Sequence, residues 1–352
     1  MPNVKEFRTP VTDKPVLIGS GQDNIIFALE SSCDDTGAAV VKNGREVLSS
    51  ITASQIKTHI EFGGVVPEIA AREHLEAVNM VIHEAFKQSG LTGNDITAFA
   101  AAMGPGLTGS LITGFNAGKA LALAYDKPFI GVNHLNAHVC ANYINTDLEP
   151  PFAALLVSGG HTQIIEVKDW LEQRILGGTI DDAAGEAYDK TARLLGLPYP
   201  GGVHLDKLAQ EGNPSAFILP EAKLQNEYDF SFSGLKTAVL QLIQKLRKDN
   251  KELPVKDIAA SFQENITSVL FKKTKKAADS IGAKTIALAG GAAANSELRR
   301  KFFSLRDKGY KIYAPEMKYC TDNAAMIAAG AYFLAGTDGR LDAEVFSRMQ
   351  TN

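Results

Sequence analysis

The chain has 352 residues, 45% hydrophobic and 22% charged, an ordinary globular composition long enough for two packed lobes. A net charge of −4 excludes a protein that holds nucleic acid by bulk electrostatics, so any RNA contact must use local basic patches or a partner. Cys33, Cys140 and Cys320 lie far apart, which argues against a disulfide framework and for a reducing, cytoplasmic setting. Residues 1–23 hold charges and the prolines Pro10 and Pro15 without the apolar core of a signal peptide, and read as a flexible leader. Residues 25–29 are an apolar run ending in Glu30-Ser31-Ser32-Cys33-Asp34-Asp35-Thr36, and residues 37–41 are apolar again. Asn43-Gly44 then predicts a hairpin turn. Ile69, Leu75, Val78, Val81, Ile82 and Phe86 recur at helical spacing and predict a helix over 67–89. A buried strand over 96–103, a small-residue helix over 107–125 and a strand over 129–132 follow. No residue from 96 to 118 is charged, but Gly104, Pro105, Gly106, Gly109 and Gly114 favour a glycine-rich loop between strand and helix over a membrane span.

A second unit opens at Pro150-Pro151. Its strand over 152–157 runs into Ser158-Gly159-Gly160-His161-Thr162 and continues as a strand over 163–167. Strand, small polar turn and strand thus occur twice, the pattern of an internal duplication. A strand over 285–289 enters Gly290-Gly291, and a small-residue helix covers 323–334. Strands alternating with helices make the fold class α/β.

Polar turns after buried strands are where α/β sheets bind ligands. In the first turn, hydroxyls can hold phosphate, and Asp34 or Asp35 can hold a metal or orient water; the plain alternative is a polar hairpin. The Ser158-Gly159-Gly160 turn lets backbone N–H groups approach an anion; the alternative is a tight hairpin. The Gly290 to Asn295 loop suits a nucleotide's base or ribose, or is a helix start capped by Asn295. Residues 114–120 miss the phosphate-binding P-loop by one residue, and Ala120 lacks the hydroxyl for magnesium. Lys119 therefore serves the helix surface or an ion pair. His134 and His138 are four apart and on a helix share one face, so both imidazoles can reach one ion. Asp322 is a candidate third ligand or else a helix cap, and Cys320 ranks below it. A helix over 182–195 carries acids at its start that the helix dipole explains; Asp189 lies beyond that turn and can accept ribose hydroxyls. Tyr199-Pro200-Gly201-Gly202 reads as a turn, with Asp206 shortly after.

Taken in order, these segments resemble the bacterial and organellar tRNA N6-adenosine threonylcarbamoyltransferases, formerly called O-sialoglycoprotein endopeptidases. The resemblance rests on Glu30 to Thr36, Gly63-Gly64-Val65-Val66-Pro67-Glu68, Gly104-Pro105-Gly106-Leu107-Thr108-Gly109, and His134 with His138. It continues through Leu156 to Thr162, Asp181 to Lys190, Phe230-Ser231-Phe232-Ser233-Gly234-Leu235-Lys236 and Cys320-Thr321-Asp322-Asn323, nearly the whole chain. Ser31, Asp35 and Ala292-Ala293 stand where the family often has Thr, Glu and Val-Ser. The resemblance implies a duplicated actin/Hsp70-like ATPase fold of two lobes with a central cleft. It divides the chain into the leader, a first lobe of 24–133 with 324–352, and a second lobe of 134–323. It implies one iron(II) or zinc ion on His134, His138 and Asp322. It implies an adenine nucleotide or threonylcarbamoyl-AMP on Leu156, Val157, Ser158, Gly159, Gly160, Asp189, Gly202, Asp206 and Asn295. The activity implied is threonylcarbamoyl transfer to the adenosine 3′ of the anticodon in ANN-decoding tRNAs. For that reaction we expect Asp34, in the first polar turn, to orient or deprotonate the amine. Implied partners are tRNA, a paralogous inactive subunit and a small ATPase, with no membrane. The Lys272-Lys273 and Lys275-Lys276 pairs and Arg299-Arg300-Lys301 are the basic clusters for tRNA, or else solvated helix faces. Rival readings are a non-catalytic nucleotide-binding scaffold, a small-molecule kinase, and a metallopeptidase. Leu135 after His134 takes the place of the glutamate that a His-Glu-x-x-His peptidase needs.

Overall fold

Apolar runs punctuated by close turns become strands here, and apolar residues at three- and four-residue spacing become helices. The computed structural model describes residues 4–19, 21–249, 252–334 and 341–348. The parts of the expected leader and first lobe at 1–3, 20, 335–340 and 349–352 lie outside the described residues. Two compact units form, Met1–Glu149 with Thr321–Asn352, and Pro150–Cys320.

In the first unit, the expected flexible leader is a β-ribbon: β1 (Lys5–Arg8) pairs antiparallel with β2 (Pro15–Ile18). Phe7 and Ile18 are buried, and Asp126 accepts from the N–H groups of Val11 (2.9 Å) and Thr12 (3.2 Å) in the connecting loop. Apolar side chains and an acceptor for the loop amides are what order it. Next come β3 (Ile25–Glu30), β4 (Asp35–Lys42) and β5 (Glu46–Ser54), then α1 (Ile56–Phe62) and α2 (Pro67–Ser89). β6 (Ala98–Gly104), α3 (Thr108–Tyr125), β7 (Phe129–Asn133) and α4 (His134–Cys140) follow. The sheet order is β5-β4-β3-β6-β7, antiparallel through β3 and parallel beyond it. Asn43 and Gly44 turn the β4–β5 hairpin with φ of 53° and 67°, the hand that matches strand twist.

The second unit runs β8 (Phe152–Val157), β9 (Thr162–Val167), β10 (Gln173–Gly178), α5 (Ala184–Leu194), α6 (Gly201–Ala209) and α7 (Ser233–Lys248). It continues with α8 (Val255–Ser280), β11 (Thr285–Ala289), α9 (Ser296–Phe303) and β12 (Lys311–Tyr313). Its sheet order, β10-β9-β8-β11-β12, repeats the first, with β8–β9–β10 antiparallel and β8–β11–β12 parallel. Ile286 stands opposite Ala153 as Ile26 stands opposite Ala98. The duplication read from the turns is therefore one of topology.

The last helix, α10 (Ala324–Phe333), returns to the first unit and packs on β3, β4 and α4. Ala324, Ala325, Met326, Ile327, Ala328 and Ala329 are all buried, as a helix that is apolar all round requires. α4 stays with this unit because α10 covers it and because Arg45 donates to the carbonyls of Tyr143, Thr146 and Leu148 at 3.2, 2.6 and 2.9 Å. The units accordingly part at Glu149/Pro150 and Cys320/Thr321, not at the expected 133/134 and 323/324. The uncharged stretch is split between β6 and α3, and no helix among the described residues is long and apolar enough to cross a membrane.

Candidate metal centre and nucleotide turns

β7 ends at Asn133, whose side-chain oxygen accepts from the N–H groups of Leu135 (3.0 Å) and Asn136 (3.2 Å) and so starts α4 at His134. One turn later His138 faces the same way, its ring centroid 4.7 Å from that of His134 at 79°. Asp322 Oδ1 lies 3.5 Å from His134 Nε2 and 3.2 Å from His138 Nε2. One donor atom from each of the three falls within 4.8 Å of the others. The cap of α10 is Asn323, which accepts from Met326 N–H at 2.9 Å, so capping does not account for Asp322. Cys320 is buried with its sulfur 3.4 Å from Arg299 and stands outside this group.

His138 is 1% exposed, and neither ring nitrogen makes an aligned hydrogen bond. An imidazole buried in that state is costly, and a metal ion removes the cost. Two imidazoles and one carboxylate fit iron(II) as well as zinc. His134 is oriented from behind: its Nδ1 lies 3.0 Å from Glu30 Oε2 and 3.1 Å from Ser32 Oγ, which leaves Nε2 for the Asp322 side. Glu30 Oε1 accepts from Ser32 N–H at 2.5 Å. The only trace of this role in the sequence is an acid that closes an otherwise apolar strand. Burial lowers the His134 pKa, but the Glu30 and Asp322 carboxylates outweigh it and raise it to about 9. Burial likewise opposes ionisation of Asp322, yet His134 and His138 hold it down to about 2.

The turn after β3 is clamped from both sides. His74 on α2 lies 2.7 Å from Thr36 Oγ1 and 3.0 Å from the Cys33 carbonyl. Leu107 N–H donates to the Ser32 carbonyl at 2.8 Å, and Ser31 Oγ donates to the Ser110 carbonyl at 2.8 Å. A Cβ on Gly106 would sit 2.6 Å from the Ser32 carbonyl oxygen, so the glycine-rich loop serves close approach to this turn. Asp34 is held inside it; burial pushes its carboxyl up, and Asp322 adds to that against Cys33 and His59. Asp35 is pushed up to about 7 by burial, with Asp322, Asp34 and Glu30 adding. Glu30, Asp34, Asp35 and Asp322 thus leave the first unit with a local excess of acid that a cation would relieve.

In the second unit, Leu156 and Val157 are the buried last residues of β8. Ser158 N–H donates to the His161 carbonyl at 2.8 Å, closing the turn, while nothing lies within 4 Å of where side chains on Gly159 and Gly160 would stand. The N-terminus of α5 abuts this turn: Ala184 N–H donates to Thr162 Oγ1 at 2.9 Å, and a Cβ on Gly185 would sit 2.5 Å from the Ser158 carbonyl oxygen. Open glycine amides beside a helix N-terminus form a cradle suited to phosphate. Asp189, on α5, accepts from Gly201 N–H at 2.8 Å, beside Gly202. Gly201 and Gly202 open α6 rather than finish a turn, with the extended Pro200 as its N-cap residue and Asp189 accepting from the first helical N–H. Asp206 accepts from Ser296 Oγ (2.7 Å), Ser296 N–H (3.1 Å) and Gln263 (2.9 Å), fixing the start of α9. Asn295 caps α9 through Leu298 N–H at 2.9 Å and donates to Gln263 Oε1 at 2.9 Å. The nine expected adenylate positions all fall in the second unit: at the end of β8 and the turn after it, within α5 (Asp189), on α6 (Gly202 and Asp206) and at the cap of α9 (Asn295). The fold gives Asn295 the capping role that the sequence offered as its alternative, and gives Asp206 structural bonds that the sequence did not reveal.

The family model described as tRNA N6-adenosine threonylcarbamoyltransferase matches residues 46–329. A protein of that name from Picosynechococcus sp. is 51% identical over 336 residues, covering 93% of this chain and 94% of the relative. Another, from Clostridium perfringens strain SM101, is 52% identical over 312 residues, covering 88% and 92%. Among solved structures, HypF of T. kodakarensis superposes with a TM-score of 0.63 at 14% identity over 94% of this chain, which spans about half (49%) of that protein. Component A of the Acidaminococcus fermentans (R)-2-hydroxyglutaryl-CoA dehydratase gives 0.50 at 15% identity, covering 88% and 97%. These likenesses concern the fold alone: it is the duplicated α/β fold of actin- and Hsp70-like ATPases. Identity at half of all positions over nearly the full length of both chains carries more, and the chain belongs to the tRNA N6-adenosine threonylcarbamoyltransferase family, transferases that modify tRNA.

Proposed function

We propose that this enzyme moves the threonylcarbamoyl group of threonylcarbamoyl-AMP onto the exocyclic amine of the adenosine 3′ of the anticodon in ANN-decoding tRNAs, releasing AMP. The observation that carries the reading is His138, buried and with no aligned hydrogen bond on either ring nitrogen, beside His134 and Asp322. Three protein ligands leave a coordination position open, the pattern of a catalytic rather than a structural metal site. His134, His138 and Asp322 hold one iron(II) or zinc ion, which supplies Lewis-acid polarisation of the donor. Ser158, Gly159 and Gly160 hold the donor phosphate through backbone amides, and Leu156 and Val157 shape the strand end beneath them. Asp189, Gly202, Asp206 and Asn295 surround the nucleoside.

The amine nitrogen attacks the carbamoyl carbon, the bond from that carbon to the phosphate oxygen breaks, and AMP leaves with the electron pair. Asp34 accepts the proton that the amine loses. Burial raises the basicity of Asp34 above that of a free aspartate, which suits that task. The enzyme works in the cytoplasm with a paralogous inactive subunit and a small ATPase. α2 suits such a contact, with Leu75 64% and Met80 48% exposed.

The test is transfer of labelled threonylcarbamate to an ANN-decoding tRNA transcript, with the adenylate-forming enzyme and partner proteins supplied. Label on tRNA that vanishes for His134→Ala is the expected result. Absence of label with folded protein and active partners overturns the proposal in favour of a scaffold.

A further inference from the structure

With net charge −4, phosphate must be met by local cations, on this chain or on a partner. The two clusters that stand out in the sequence are already neutralised. Lys275 pairs with Asp279 at 2.6 Å, Lys276 with Glu227 at 2.5 Å and Lys272 with Glu221 at 3.8 Å, while Lys273 donates to the Asp229 carbonyl. Arg300 pairs with Glu297 at 2.5 Å and Lys301 with Glu264 at 2.6 Å. Arg299 is spent on the carbonyls of Ala293 and Pro315. These are internal ion pairs and struts.

α7 is different. Its sequence, Ser233 to Lys248, holds Lys236, Lys245, Arg247 and Lys248 and no acid. None of the four has an ion-pair partner among the described residues, and Lys245, Arg247 and Lys248 are exposed. Leu235, Val239 and Ile243 bury the inner face. The outer face presents Thr237, Gln241, Gln244 and Lys248 at helical spacing, all exposed and all able to donate to phosphate. Basic residues in a last turn also complement the helix dipole, but that accounts neither for Lys236 in the first turn nor for the absence of acids along the helix. The helix is held firmly. Asp181 accepts from Ser231 Oγ (2.5 Å), Ser233 Oγ (2.7 Å) and Phe232 N–H (2.8 Å) at its start. It packs on α5, which carries Asp189.

We infer that the outer face of α7 is a docking surface for the phosphate backbone of the substrate tRNA, an inference that rests on the tRNA-transferase reading. Charge complementarity selects RNA: the face is cationic and hydrogen-bonding, without the large apolar side chains that a protein partner would cover.

The test measures binding of a labelled tRNA transcript to the full chain, with partner proteins supplied, across a salt series. The variant is Lys245→Gln/Arg247→Gln/Lys248→Gln, and the control is the ion-paired Lys272→Gln/Lys276→Gln. The variant should bind at least about ten-fold more weakly, with a salt slope shallower by about 2 to 3. Its KM for tRNA should rise while kcat at saturating tRNA stays, and the control should stay within about two-fold of the parent protein. Gln241→Glu/Gln244→Glu, which leaves the cations in place, should weaken binding too. Unchanged affinity and slope in the triple variant, with the parent binding normally, overturns the inference. A parent protein that neither binds nor modifies tRNA overturns the transferase reading, and the docking surface with it.

Discussion

Glu30 closes β3 with its carboxylate divided between two partners, Ser32 N–H on one oxygen and His134 Nδ1 on the other. It sets the imidazole tautomer and at the same time holds the turn that carries Asp34. Glu30→Gln should therefore weaken cobalt(II) or zinc binding about 10- to 100-fold, measured by titrating metal-free protein. Affinity equal to that of the parent would show that the carboxylate does not orient His134. The same residues make stability depend on pH. The His134 pKa is raised from 6.5 to about 9, so its contribution is present below about pH 6.5 and lost as pH rises through 9. Asp35, raised from 3.8 to about 7, acts in the same direction. Metal-free protein should thus unfold at lower temperature at pH 9 than at pH 6, and metal loading should flatten that trend because the bound imidazole no longer titrates. Thermal unfolding at both values, with and without chelator, checks it; a midpoint that rises with pH in metal-free protein contradicts the assignment.

Among the elements, α5 shows how far periodicity carries and where it stops. A helix was legible over 182–195, and one forms at Ala184–Leu194. Glu186 lies in its first turn, as the dipole argument requires, but Asp182 falls outside the helix and, like Asp181 before it, is used otherwise. Asp182 pairs with Lys190 at 2.7 Å, and Asp181 anchors the start of α7. Side chains that bond across a loop leave no periodic trace. Contact of the α5 N-terminus with the Ser158 turn depends on Gly185, where a side chain would press on the Ser158 carbonyl. Gly185→Ala should destabilise the protein by about 1–3 kcal/mol and weaken adenine-nucleotide binding several-fold. Denaturant unfolding and nucleotide titration read the two effects. A variant with normal affinity would remove the α5 end from the cradle.

At the scale of the molecule, the first unit is assembled from both ends of the chain, whereas the second is one continuous segment with its own sheet and core. Ending the chain after Cys320 removes α10 and Asp322 together. It should abolish metal binding and leave the first unit exchanging freely, while Pro150–Cys320 stays protected. Hydrogen exchange resolved by peptide decides this, and uniform loss of protection would show that the units fold only together. Though the long helices α7 and α8 were not read from it, the sequence by itself determined the α/β class, the duplicated strand–turn–strand units, the strands and helices that flank the motif turns, and the pairing of His134 with His138. These follow from local apolar spacing and turn residues, which are properties of neighbours in the chain. Only the tertiary structure decided that Asp322, far along the chain, meets the histidines and that Glu30 orients one of them. It also decided that the leader pairs as a ribbon, that α4 belongs to the first unit, and that the conspicuous lysine and arginine clusters are neutralised while α7 is not. Each of these depends on which distant carboxylate or carbonyl the fold brings within a few ångströms, and no local pattern encodes that distance.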